Sequence, residues 1–338
     1  MVRRGLVARF VVALLVLAAL LAVFGPRTVV ELLRGVRPIE ALLVLALATV
    51  WLVLRAEAMY QTVRVSLPEA TRTGCATAFL SGVFVASVLP VGNVGGVVSA
   101  AYVLREQVQT TGSAAVGVLS AWEVLNVIAS VGVALVGVLV VLLPGGRVEP
   151  AVLSVLGMLA TIAVVTAALI RFRRRWVTML SWYAANTVYA FVDRVAPAHS
   201  GHLAPALLAA RGRRFAAGFG ALTDRPRVLG RTIATLVLAW TALGLALLVS
   251  FAALGSGLPI GVALLVPQIA GLAGIIPLPG GLGSIDATLV ALLLSLTQQP
   301  FDTVGAAVLV FRTATYWWGL LVSGLVVLGL GIRIRALE

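Results

Sequence analysis

Three charged side chains sit inside stretches that are otherwise apolar. They are Glu123 in AAVGVLSAWEVLN, Asp286 just after PLPGGLGS, and Arg312 in TVGAAVLVFRTATYWW. A charge at the centre of a bilayer costs roughly 2.5–3.5 kcal/mol on insertion scales, so such residues turn toward a protein interior or a wet cavity and find partners there. The chemistry they offer is recognition. A carboxylate and a guanidinium bind the ammonium and phosphate parts of a zwitterionic or anionic headgroup and re-pair between states. Alternatively, they form a static buried pair that fixes helix register. A shift of 189 residues carries Glu123 onto Arg312, each about ten residues into a long apolar span and about 15 Å deep at 1.5 Å per residue. The expectation is that the two face each other near the membrane midplane. Asn126, three residues after Glu123 on the same helical face, is placed to hydrogen-bond it.

Two proline and glycine breaks accompany these charges: LPVGNVGG at 89–96 and IIPLPGGLGS at 275–284. Gly280, Gly281 and Gly283 let a bulky group approach the backbone. Ser284 is placed to cap a helix starting at Ile285, with Asp286 in its first turn, where negative charge is favoured. The same geometry offers free N–H groups and a positive dipole end to a ligand. With Asp286 present, it suits a cationic group or a coupling proton. The first break, with Gly92, Asn93, Gly95 and Gly96, has no carboxylate and suits phosphate better. Gly92-x-x-x-Gly96 also permits close helix packing. Tyr102, Tyr316, Trp317 and Trp318 either stack on a headgroup or anchor the chain at the interface.

The elements that position these residues are membrane helices. The chain has 338 residues, 61% of them hydrophobic and 11% charged, with a mean hydropathy of +1.10. Soluble domains carry about 25% charged residues. Apolar segments fall at about 7–24, 39–56, 75–90, 95–104, 113–143, 151–170, 231–254, 260–276, 280–297 and 303–331. The short pieces on either side of each break read as helical hairpins, re-entrant or fully spanning, which leaves about six to ten spans. Irregular backbone at membrane depth persists only where protein or a wet cavity satisfies it.

The fold expected is an all-α polytopic membrane protein, 1–338 as a single membrane domain, built on an inverted structural repeat with two broken hairpins. A first span lies at 7–24, one half at 39–143, a linking span at 151–170, a basic linker at 171–230 and a second half at 231–331. Within the linker, Trp176, Leu180, Tyr183, Thr187 and Phe191 recur at helical spacing. They read as an interfacial amphipathic helix or an ordinary connector.

All 25 basic residues are Arg, and the net charge is +13. Eleven of them lie from Arg171 to Arg231, against Asp193 and Asp224. The positive-inside rule and anionic lipid at the cytoplasmic face explain the excess better than nucleic acid does. The rule puts both termini in the cytoplasm of a cell membrane protein. The N-terminal run reads as a retained span rather than a cleaved signal. One Cys, Cys75, excludes an intrachain disulfide, and His199 and His202 have no metal-ligand constellation around them in sequence. No cofactor is expected.

The motifs resemble those of the membrane domain of lysylphosphatidylglycerol synthases and their stand-alone relatives, the flippase-like integral membrane family. PLPGGLGSIDATLVALL followed by TVGAAVLVFRTATYWWGLLVSGLVVL carries the second-half likeness, and LPVGNVGGVVSAAYVLREQ followed by AAVGVLSAWEVLN the first. The likeness covers about residues 10–330. Relatives often have Glu shortly after the PGGLG core, where Asp286 stands here, and Arg within the first motif, where Asn93 and Ser99 stand. No aminoacyl-transferase domain is expected.

The resemblance implies a protein that moves phospholipids or lipid-linked headgroups between leaflets. The alternative is a secondary transporter of a small soluble solute with a midplane site. Headgroup sensing or scaffolding without transport is a third reading. Catalysis is not expected, since no nucleophile–base pair appears in the sequence. Assembly into a homo-oligomer is compatible with either transport reading.

Overall fold

The structure is a computed structural model that describes residues 35–89, 92–142, 221–222, 224–276 and 278–329. The expected spans at 7–24 and 151–170, the amphipathic stretch from Trp176 to Phe191, and His199 and His202 lie outside the described residues. Among the described residues all regular secondary structure is helical. The chain is a multi-pass, all-α membrane protein.

The first half contains α1 (Pro38–Ser66), α2 (Arg72–Val88), α3 (Gly92–Val108) and α4 (Gly112–Leu142). The second contains α5 (Pro226–Ala252), α6 (Ile260–Leu272), α7 (Ser284–Leu296), α8 (Phe301–Arg312) and α9 (Trp318–Gly329). Short 3-10 turns at Ala273–Ile275 and Pro279–Gly281 connect α6 to α7, and a π turn at Thr313–Trp317 joins α8 to α9. Both α1 and α5 begin with Pro, whose fixed φ and missing N–H suit a helix start. Thr71 caps α2, its hydroxyl accepting from the Gly74 N–H at 3.1 Å.

Five helical stretches are long and apolar enough to cross a membrane: Pro38–Ser66, Ala114–Leu142, Pro226–Ala252, Pro279–Leu296 and Phe301–Gly329. The helices α2 and Ile260–Ile275 are apolar but shorter. Ile39, Leu42, Val53, Leu139, Leu238 and Leu328 are exposed on the outer surface, the arrangement expected where lipid is the solvent.

Hydrogen bonds fix the relative directions of the elements. The Arg37 N–H donates to the Ala253 carbonyl at 3.1 Å, and Gln61 Nε2 to Thr235 Oγ1 at 3.4 Å. The start of α1 therefore adjoins the end of α5, and the two run antiparallel. Gln107 Nε2 donates to Thr77 Oγ1 at 2.8 Å and closes the base of the α2–α3 hairpin. That base lies at the end of the bundle where Arg64, Arg72, Arg225 and Arg231 gather. Gln299 Nε2 reaches the Gly257 carbonyl at 3.0 Å, tying the base of the α6–α7 hairpin at the opposite end. The two hairpins point at each other, and the 279–281 turn packs against α2 and α3.

Glycines set the closest crossings. A Cβ on Gly137 would meet the Gly261 carbonyl oxygen at 2.7 Å, and one on Gly82 would meet that of Gly96 at 2.7 Å. Backbone contact at that range is the use membrane helices make of small residues. The expected packing role of Gly96 is thus filled by Gly82 within its own hairpin.

The halves share one order of elements. Pro226 follows Pro38 by 188 residues, Ile260 follows Arg72 by 188, and Phe301 follows Gly112 by 189. Packing follows the same exchange: α1 lies on α5, α4 on α6, and α9 on α2.

Candidate functional site

Where the hairpin turns meet, they leave a cavity of about 270 Å³. Gly82, Ser87 and Gly96 line it from the first hairpin, and Gly274, Gly280 and Gly281 from the second. Helices α1, α4, α5 and α8 complete the wall. Trp122 and Phe311, Glu123 and Arg312, and Asn126 and Thr315, each pair 189 residues apart, all line it. The volume suits a headgroup rather than a whole lipid.

The PGGLG turn owes its shape to left-handed backbone. Gly280, Gly281 and Gly283 have φ of 55°, 64° and 83°, a region that side chains with a Cβ rarely enter. Arg312 holds this turn in place. Its Nε donates to Asp286 Oδ1 at 2.8 Å and its Nη2 to the Gly280 carbonyl at 3.3 Å. The other carboxylate oxygen of Asp286 accepts the Gly283 N–H at 2.8 Å. Both side chains of the pair are about nine-tenths buried. Above them the Arg312 guanidinium lies 5.1 Å from the Tyr316 ring centroid, and the Tyr316 hydroxyl donates to the Ser87 carbonyl at 3.2 Å. One side chain thereby links the turn of the second hairpin to the end of α2. Replacing Tyr316 by Phe removes that link while keeping the ring. A loss of about 1 kcal/mol in stability is expected, the usual worth of one buried hydrogen bond, read as a small fall in melting temperature in detergent.

Several expected placements differ from those observed. Arg312 does not pair with Glu123; its partner is Asp286, brought to it by the turn. Asp286 is accordingly engaged on both oxygens and is not open to a ligand. Glu123 lines the cavity and has no hydrogen bond or ion pair to any described residue. Asn126 does not bond Glu123 either: its carbonyl and its Oδ1 both accept from Trp240 Nε1 at 3.1 Å. Ser284 is not the helix cap. The helix starts at Ser284 itself, with Gly283 before it and Asp286 reaching back to the Gly283 N–H, while the Ser284 hydroxyl donates to the Gly281 carbonyl at 3.2 Å.

Tyr102 lies outside the cavity, 42% exposed, with Arg105 over its ring at 5.8 Å. Gly95 does not line the cavity. Gly92 and Asn93 open α3, and the placement of the Asn93 side chain lies outside the described residues. Trp318 is anchored to Thr49 at 2.9 Å, and Trp317 is half exposed. Of the expected site residues, Gly96, Glu123, Asn126, Gly280, Gly281, Arg312 and Tyr316 line the cavity.

One charged residue in the cavity wall escaped the sequence reading. Arg55 is in the middle of α1, boxed by four aromatic rings. Trp51 is 5.0 Å from its guanidinium carbon, Phe79 5.3 Å, and Trp122 and Trp240 5.5 Å each, measured to ring centroids. Its Nε is buried without an acceptor, as are the indole nitrogens of Trp51 and Trp122. The signal present in the sequence was Trp51 four residues before Arg55, one helical turn away.

A family model described as the lysylphosphatidylglycerol synthase TM region matches residues 6–323. No curated protein matches the chain.

Proposed function

The chain belongs to the lysylphosphatidylglycerol synthase transmembrane-region family, and on that premise we propose that it is a translocase for phospholipids or lipid-linked headgroups. Family membership makes it a membrane protein related to lipid handling. The movement of lipid between leaflets is the step added here. The observation that carries it is the cavity at which two backbone breaks, entered from opposite ends of the bundle, come together with charged side chains around them.

In this reading the halves form an inverted repeat, as the antiparallel α1 and α5 and the exchanged packing suggest. Transporters built on such repeats bind their cargo near the midplane at the repeat interface. The headgroup occupies the cavity while the acyl chains stay in lipid. The protein sits in the cell membrane with both termini cytoplasmic. The Arg64, Arg72, Arg225 and Arg231 end faces the cytoplasm, where it meets anionic lipid. The function is transport without catalysis, it involves no nucleic acid, and assembly of copies is compatible with it.

The test is reconstitution of the full chain into liposomes with fluorescent lipids in the inner leaflet, followed by chemical quenching from outside. Headgroup-dependent exchange above protein-free vesicles is expected. Glu123→Gln should slow it about tenfold, matching loss of one hydrogen bond to a charged group at roughly 1.5 kcal/mol. Absence of exchange across zwitterionic, anionic and cationic headgroups, together with uptake of a soluble solute, would replace this reading by the secondary transporter.

A further inference from the structure

We propose that Arg55 is the anion anchor of the cavity and that, set against Glu123, it makes the cavity select a headgroup with one phosphate charge and one ammonium charge, hence no net charge. This rests on the lipid-headgroup reading above and assigns the cargo's chemical class.

Arg55 is the cavity's uncompensated cation. A guanidinium carries five donors and no acceptor, and no described residue supplies it with a hydrogen bond or an ion pair. The rings of Trp51, Phe79, Trp122 and Trp240 hold it by cation–π attraction, but rings do not accept in place of an anion. Two of them bring indole N–H groups that are themselves buried without acceptors. The surroundings of Arg55 are therefore rich in donors, and the complement to such a group is a phosphate. Its oxygens accept two parallel N–H bonds from one guanidinium. Arg55 lines the cavity, so the cavity is the side from which that phosphate arrives.

The charge selection follows from balance. Three charged residues line the cavity: Arg55, Glu123 and Arg312. Arg312 is neutralised by Asp286. That leaves one open cation and one open carboxylate, close enough for Glu123 to act on Arg55 through its field but not in contact with it. A ligand with one charge of each sign satisfies both and adds no net charge to a site of low dielectric. A monoanion satisfies Arg55 and leaves Glu123 facing it, a repulsion that water does not screen there.

The experiment is binding, followed by tryptophan fluorescence of the purified full chain in detergent, because three indoles ring Arg55. The probes are dihexanoyl phosphatidylethanolamine, dihexanoyl phosphatidylglycerol, phosphoethanolamine and inorganic phosphate. The wild type should bind the ethanolamine lipid at least tenfold tighter than the glycerol lipid. Arg55→Gln should weaken both at least tenfold, and Arg55→Lys should keep part of the affinity. Glu123→Gln should reverse the preference toward the glycerol lipid, a gain that general damage does not produce. If Arg55→Gln does not fold, that reversal decides alone.

Phosphoethanolamine binding as tightly as the lipid would uphold the anchor and identify a free phosphate ester as the source. Binding unchanged in Arg55→Gln, or a Glu123→Gln variant that keeps the original preference, overturns the proposal. Intact binding without exchange in liposomes would defeat translocation and leave this assignment standing. Exchange undiminished in Arg55→Gln would do the reverse.

Discussion

Asp286→Asn and Arg312→Gln, made separately, are each expected to destabilise the protein by about 3–5 kcal/mol, the penalty for leaving one partner of a buried ion pair uncompensated. The two side chains are 11% and 9% exposed and meet at 2.8 Å. Their loss reaches beyond the pair, because the pair also holds the glycine turn through the Gly280 carbonyl and the Gly283 N–H. Removing both charges together should cost much less: a double Asp286→Leu, Arg312→Met variant is expected to be more stable than either single variant. Cys75 makes the measurement simple. It is the chain's one cysteine and is fully buried, so a thiol-reactive fluorogenic dye reports unfolding as temperature rises. Singles that melt like the wild type would show that the pair carries no structural burden.

Gly280→Ala should be nearly as damaging, although it adds one methyl group. At φ of 55° a Cβ is strained whatever surrounds it, and here it would also overlap the edge of the Tyr316 ring. The ring has nowhere to retreat, with the Arg312 guanidinium over it and its hydroxyl bonded to Ser87. A loss of about 2–3 kcal/mol is expected, combining backbone strain with overpacking. Adding Tyr316→Ala should recover part of it by removing the obstacle while leaving the strain. If the second change makes matters worse by the full value of Tyr316→Ala alone, the two residues are not coupled and the clash is not the cause.

Much of this architecture was legible in the residues. The two proline and glycine breaks mark the turns at which the hairpins meet, and a shift near 189 residues recovers the order of elements. The charge partners were not legible. Pairing Glu123 with Arg312 followed from symmetry, and symmetry fixes depth along a helix, not the path of an irregular turn. It was the left-handed glycines that carried Asp286 to Arg312.

Arg55 was hidden for a different reason. Hydropathy drops after Leu54, where Arg55 and Glu57 follow, so the apolar segment ended at 56 and Arg55 read as its polar boundary. In fact α1 continues to Ser66, which puts Arg55 well inside the bundle. A segment bounded by hydrophobicity underestimates a helix whose far end is buried by protein instead of lipid. Ser284 illustrates a smaller ambiguity: a hydroxyl one residue into the helix donates backward to Gly281, while the carboxylate at the third position satisfies the preceding N–H.

The π turn at Thr313–Trp317 carries one extra residue per turn into a helix whose first-half equivalent, α4, is continuous. One residue is about 100° of rotation, so angular phase slips across the turn even though sequence spacing does not. Asn126 and Thr315 both border the cavity, yet one step later Val127 is 40% exposed while Tyr316 is 8% exposed and turned inward. Beyond that step, counting by a constant offset assigns faces wrongly. Deleting a single residue there would swing the whole of α9 around its axis, whereas an identical deletion in a loop would be absorbed.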